Sequence, residues 1–102
     1  MLPYYLVLDF EANCSADQVK DHEIIEFPCI LIDSKTGSTI SEFRSFVKLV
    51  NFDKLSDFIK DLTHITDEQV NTGLSWSDCL KAFQNFLFCV KSITQMVFLE
   101  LG

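Results

Sequence analysis

Apolar residues run almost without interruption from Tyr4 to Leu8, and Asp9, Phe10 and Glu11 follow. A short continuous apolar run predicts a strand buried on both faces, here Tyr4 to Phe10. The stretch from Ala12 to Asp21 is polar and predicts a loop. Glu23 to Ile32 predicts a second strand, in which Pro28 suggests an edge position or a bulge. Asp33-Ser34-Lys35-Thr36-Gly37 is a turn sequence, and Thr39 to Val47 predicts a third strand. Strands in this succession predict an antiparallel meander.

The pattern then changes period. Ser56 is placed to cap a short helix carrying Phe58, Ile59 and Leu62. Thr66 opens a T-x-x-Q capping box with Gln69, and Gly73 suits the end of that helix at Val70 to Thr72. Ser75 can cap a longer helix, with Asp78 favourable in its first turn. Trp76, Leu80, Phe83, Leu87 and Val90 recur at spacings of about one helical turn. That stripe predicts a face packed on the sheet. Ile93 to Leu101 fits either a fourth strand or a tail.

At 102 residues the chain is enough for one small domain and no more, and no linker, repeat or low-complexity tract divides it. Its net charge of −7 argues against a protein that coats nucleic acid with a basic face. It does not exclude a nuclease whose acidic cluster is offset by bound ions. The four cysteines, at 14, 29, 79 and 89, lack C-x-x-C spacing and have only two histidines beside them, which argues against zinc. Cys29, Cys79 and Cys89 read as small buried hydrophobes in a reducing compartment. No secretory signal and no membrane span is predicted.

The candidate chemistry lies at Asp9 and Glu11. A strand alternates its side chains, so the two carboxylates point to one side, about 7 Å apart. Two anions so placed can share a divalent ion. The same triplet also fits a strand that has ended, with both acids in water.

Two further strings bear on the choice: His22-Glu23-Ile24-Ile25-Glu26-Phe27-Pro28, and Leu62-Thr63-His64-Ile65-Thr66 followed by Asp67-Glu68-Gln69-Val70. Together with Leu8-Asp9-Phe10-Glu11-Ala12-Asn13-Cys14 they occur in the order and spacing of one family. Over residues 4 to 91 the chain resembles the N-terminal half of the DEDDh 3′–5′ exonucleases. The branch it looks most like contains the 3′-histone-mRNA and enhanced-RNAi exoribonucleases.

The resemblance implies an α/β, ribonuclease-H-like exonuclease fold, here the N-terminal part of a single exonuclease domain. It implies two ions, Mg²⁺ or Mn²⁺, held by four carboxylates, with a histidine as general base. Asp9 and Glu11 match the first two acids, as catalytic residues and metal ligands. The third acid, the histidine and the last aspartate have no match within residues 1–102, and Glu100 is a poor substitute. By the same resemblance Phe10, Ala12, Leu62 and Thr63 border the 3′-terminal nucleotide. All four also make sense as core or loop residues.

His64 departs from the glycine usual in the family, and Asn13 from a threonine. His64 is read as a departure and not as the missing base, and His22 as a strand-edge residue. Two functions stay open. One is a metal-dependent 3′–5′ exoribonuclease domain acting on single-stranded RNA 3′ ends, expected to be inactive as this truncated chain. The other is a non-catalytic fragment, a splice form or incomplete gene product, that binds RNA or a protein covering an exposed sheet face. Both place the chain inside the cell, in the cytoplasm, the nucleus or both.

Overall fold

A computed structural model describes residues 3–14 and 22–94. Strand β3 (Glu23–Asp33) organises it: alternate residues Ile25, Phe27, Cys29 and Leu31 are buried. β4 (Thr39–Phe46) runs antiparallel along one edge, with Phe43 opposite Cys29 and Phe46 opposite Glu26. Along the other edge lie β1 (Tyr4–Leu8) and β2 (Glu11–Asn13), both antiparallel to β3. Leu8 pairs with Cys29 and Glu11 with Glu26, so the register is the same on both sides of the gap. β1 and β2 are therefore one strand interrupted at Asp9 and Phe10, and the sheet is the expected antiparallel meander. Ala12 and Asn13 belong to β2 and not to the expected loop, and residues 15–21 of that loop lie outside the described residues.

Pro28 explains the interruption. The Val47 amide donates to the Ile25 carbonyl at 2.9 Å. Odd-numbered residues of β3 thus turn their backbone groups to β4, and even-numbered ones to β1 and β2. Pro28 is even and has no N–H. The ladder to β4 passes Pro28 unbroken, while the ladder on the other side stops opposite it. Pro28 therefore marks neither an edge nor a bulge. The bulge falls at Ile25, where Ala12 pairs with Ile24 directly after Glu11 pairs with Glu26.

The first strand is not buried on both faces. Tyr5, Val7 and Leu8 are 44%, 44% and 41% exposed. Among the described residues β1 is an edge strand and β3 the central one, so the acids do not lie at the centre of this sheet.

Helix α1 (Asp57–Thr63) is capped by Ser56, whose hydroxyl accepts from the Ile59 amide. Helix α2 (Asp67–Asn71) carries the complete Thr66–Gln69 capping box. Ile59 and Val70 of these helices, with Leu55 and Ile65 of the flanking loops, pack with Ile25, and Phe46 lies against them. Helix α3 (Trp76–Thr94) starts at Ser75, whose hydroxyl accepts from the Asp78 amide. It covers the other side of the sheet through Cys79 and Phe83, packed with Phe27, Phe43 and Val47. Between α2 and α3, Gly73 approaches β4 so closely that a Cβ would stand 2.5 Å from the Phe46 carbonyl oxygen.

The buried face of α3 is rotated from the expected stripe. Cys79 and Val90 are buried and Phe83, Phe86 and Leu87 half-buried, while Leu80 is exposed. Cys89 is exposed rather than a buried hydrophobe, because it falls on the solvent side of that helix. Cys29 and Cys79 are buried as expected, and burial pushes both thiols up from their ordinary pKa. Ile93 and Thr94 close α3 and do not open a strand. The rest of the expected fourth strand, with Glu100, lies outside the described residues.

Candidate functional site

The direction of Asp9 and Glu11 follows from the residue between them. The Phe10 ring meets Phe27 edge-on, centroids 4.7 Å apart at 74°. Phe27 in turn packs on Trp76 and Phe83 of α3. Phe10 thus points to the α3 side, and its neighbours in an extended chain point away from it. Asp9 and Glu11 share the opposite face, Asp9 exposed and Glu11 half-buried. That is also the side on which the α1–α2 corner packs: Phe46, opposite Glu26 on β4, lies against its core.

Glu26 of β3 stands directly opposite Glu11 and is ion-paired with Arg44. The Arg44 guanidinium lies 4.7 Å from the centroid of the Phe46 ring. The carboxylates of Asp9 and Glu11 have no hydrogen-bond or ion-pair partner among the described residues. Two acceptor-only carboxylates on one face, uncompensated by protein charge, suit a hard divalent cation. They supply part of a coordination shell: among the described residues no group of three or more His, Cys, Asp or Glu side chains is arranged to hold a metal ion.

The other expected site residues are placed less directly. Ala12 pairs with Ile24, which packs on the α3 side, so the Ala12 methyl points away from the acids. Leu62 is 64% exposed near the end of α1. The Thr63 hydroxyl is engaged locally, donating to the Ile59 carbonyl at 2.7 Å and accepting from the Ile65 amide at 3.2 Å. His22 is exposed just before β3.

His64 is the C-cap of α1 and adopts the left-handed conformation, φ 63°. A side chain is unfavourable there, where glycine is at ease. The departure seen in the sequence is thus a strained backbone position. Beside it, Lys60 Nζ lies 2.6 Å from Asp67 Oδ2, and Asp67 Oδ1 accepts from the Leu55 amide at 2.8 Å. The Lys60 hydrogen bond, and then the Leu55 amide, hold the Asp67 carboxyl below its usual pKa.

Asn13 is the residue that sequence reasoning undervalued. It is the buried polar residue among those described, 4% exposed. Its Oδ1 accepts from the Ser56 amide at 2.9 Å, and the Ser56 hydroxyl donates to the Cys14 carbonyl at 2.5 Å. These bonds tie the strand carrying the acids to the start of α1. The signal was available: Asn13 continues the period of two that Asp9 and Glu11 begin. A cavity of about 310 Å³ opens here, lined by Asn13, Cys14, Phe52, Lys54 and Ser56.

An antiparallel meander backed by helices, with a D-x-E pair on the face opposite its longest helix, has the architecture of a ribonuclease-H-like exonuclease domain. The family model described as RNase_T, exonuclease, matches residues 6–95. The chain belongs to this exonuclease family, in its DEDDh 3′–5′ branch.

ERI1 exoribonuclease 2 of Homo sapiens is 34% identical over 100 residues, covering 96% of this chain and 14% of that protein. The nuclease domain of 3′hExo, a DEDDh family member solved bound to rAMP, superposes with a TM-score of 0.79 at 30% identity, over 92% of this chain and 46% of that one. A structure of 3′-end-specific recognition of the histone mRNA stem-loop by a 3′-exonuclease gives 0.76 at 30% identity, over 92% of this chain and 41% of that one. The chain therefore spans less than half of each protein it matches here. Among the described residues no helix is long and apolar enough to cross a membrane.

Proposed function

We propose that these residues form the N-terminal part of a 3′–5′ exoribonuclease domain acting on single-stranded RNA 3′ ends. Asp9 and Glu11 would hold a divalent ion, Mg²⁺ or Mn²⁺, and Phe10, Ala12, Leu62 and Thr63 would border the terminal nucleotide. The observation that carries this reading is the alternation at Asp9-Phe10-Glu11. One ring packs into the core while two unpaired carboxylates share the opposite face. The names of the relatives support the substrate class: an exoribonuclease, a nuclease bound to rAMP, and a 3′-exonuclease on an mRNA stem-loop.

The ion, when bound, supplies charge stabilisation at the scissile phosphate and acidifies the attacking water. This chain's residues would fix where it sits. Phe10 anchors the strand, Asn13 and Ser56 set the adjoining corner, and Leu62 offers an apolar surface to a base. The first two acids alone are half of the family's carboxylate set and bring no base. The 102-residue chain by itself is therefore expected to show no turnover.

The test titrates the chain with short single-stranded RNA carrying a free 3′-hydroxyl, with Mg²⁺, and follows amide NMR signals. Shifts are expected at residues 9–13 and 62–64. Shifts confined to other residues would sink the reading. In parallel, 3′-labelled RNA is expected to stay intact. Trimming that Asp9→Ala abolishes would refute the inactivity of the isolated chain. The exposed Tyr5, Val7 and Leu8 of β1 favour a second, non-catalytic role, in which a protein partner covers that edge.

A further inference from the structure

Glu26 and Arg44 take no part in the reading so far. Glu26 faces Glu11 as a direct cross-strand neighbour. At such positions the Cβ atoms are about 5 Å apart and like charges repel. The Glu26 side chain is 13% exposed and that of Arg44 59%. A carboxylate at Glu26 adds negative potential at the acid pair, and Arg44 offsets it from the next strand. Phe46, two residues along β4 on the same face, holds the guanidinium over its ring. The opposed charges are therefore held in a fixed order outward from Glu11: first Glu26, then Arg44.

The geometry points to Glu26 and Arg44 as positioning residues that set, through their charges, how tightly Asp9 and Glu11 take a divalent cation. This rests on the proposed role of Asp9 and Glu11. Neither Glu26 nor Arg44 need touch the ion. With both present, Arg44 offsets part of the Glu26 charge at the acid pair. Loss of Arg44 leaves Glu26 attracting the cation, and loss of Glu26 leaves Arg44 repelling it. The two single changes move affinity in opposite directions. A salt bridge that only braces β3 against β4 predicts otherwise: either change loosens the fold and neither tightens the ion.

The experiment is a Mn²⁺ titration of the 102-residue chain at low salt, read as paramagnetic broadening of the amide signals of residues 8–13. Arg44→Met is expected to tighten binding and Glu26→Gln to weaken it, each by roughly three- to tenfold from the Coulomb energy of one charge several ångströms from a divalent ion. The double variant is expected near the wild type. Arg44→Lys, which keeps the charge, is also expected near the wild type, and Arg44→Gln, expected to tighten binding, serves if Arg44→Met does not fold. Equal affinity in all variants, or weakening by both single changes, overturns the proposal. Glu11→Gln separates the two levels. If it leaves the broadening unchanged, or if the wild type shows none, the acid pair is not the cation site and the proposed function fails with it. If Glu11→Gln abolishes binding while Glu26 and Arg44 are silent, only this inference fails.

Discussion

The two sides of the strand pair β3 and β1/β2 are built from opposite materials. Toward α3, Phe10, Phe27, Phe43, Phe83 and Phe86 form a run of ring contacts with centroids 4.7 to 6.2 Å apart. Toward the other side the same strands present Asp9, Glu11 and Glu26, with Arg44 beside them on β4. One residue step along the chain carries it from packing to chemistry. At Asp9-Phe10-Glu11 stability and candidate function are thus separable by residue parity. Variants on the ring side should damage the fold, and variants of the two carboxylates should leave it standing.

Phe27→Ala attacks the centre of the ring side and should have the largest effect. Deleting a buried phenyl ring costs about 3–5 kcal/mol, enough to unfold a marginal domain, and urea unfolding followed by circular dichroism reads it. Asn13→Ala should come next. It leaves the Ser56 amide without its acceptor at a part-buried site, which costs about 1–3 kcal/mol. Its signature is faster hydrogen exchange at residues 56–59.

His64→Gly should go the other way and raise stability by about 1 kcal/mol, by relieving the left-handed strain. A rise in the urea midpoint checks it, and a fall would mean that the ring makes a compensating contact. Asp9→Asn and Glu11→Gln should each fall within about 0.5 kcal/mol of the wild type. A loss comparable to that of Phe27→Ala would break the separation of the two sides.

The smallest effect concerns pH. The Asp67 carboxyl is held below its ordinary pKa by Lys60 and the Leu55 amide. Its contribution is present above the unfolded value, about 3.9, and is lost as pH falls through the folded value. Lys60 is raised by the same hydrogen bond, so its contribution is lost only as pH rises above about 10.4. Asp67→Asn should flatten the acid limb of a stability–pH curve, measured as urea midpoints below pH 5. An unchanged limb would show that this pair adds nothing.

Much of this was legible in the sequence because it is local. Ser56, Thr66 with Gln69, and Ser75 cap their helices as expected, since a cap needs only residues within one turn. The turn at Asp33 to Gly37 also forms: Asp33 accepts from the Lys35 amide, and Gly37 takes φ 72°. What failed depended on neighbours. Pro28 looked like an edge marker, but whether a missing N–H matters depends on which strand it faces. An apolar run such as Tyr4 to Leu8 does not say whether anything covers its second face. The helical stripe slipped because Leu80 is as apolar as Cys79, and only packing against Phe27 and Val47 selects between them. Asn13 needed Ser56, far away in sequence, to acquire meaning.

Pro28 has one more consequence. Because its ring nitrogen faces Asp9 and carries no hydrogen, the Asp9 carbonyl has no ladder donor across the gap. The backbone beside the acid pair is thus kept unzipped within the sheet. A residue with an N–H at position 28 would let β1 and β2 fuse into one continuous strand. The main chain at Asp9 would then be committed to the sheet and closed to any water or ligand arriving at the acids.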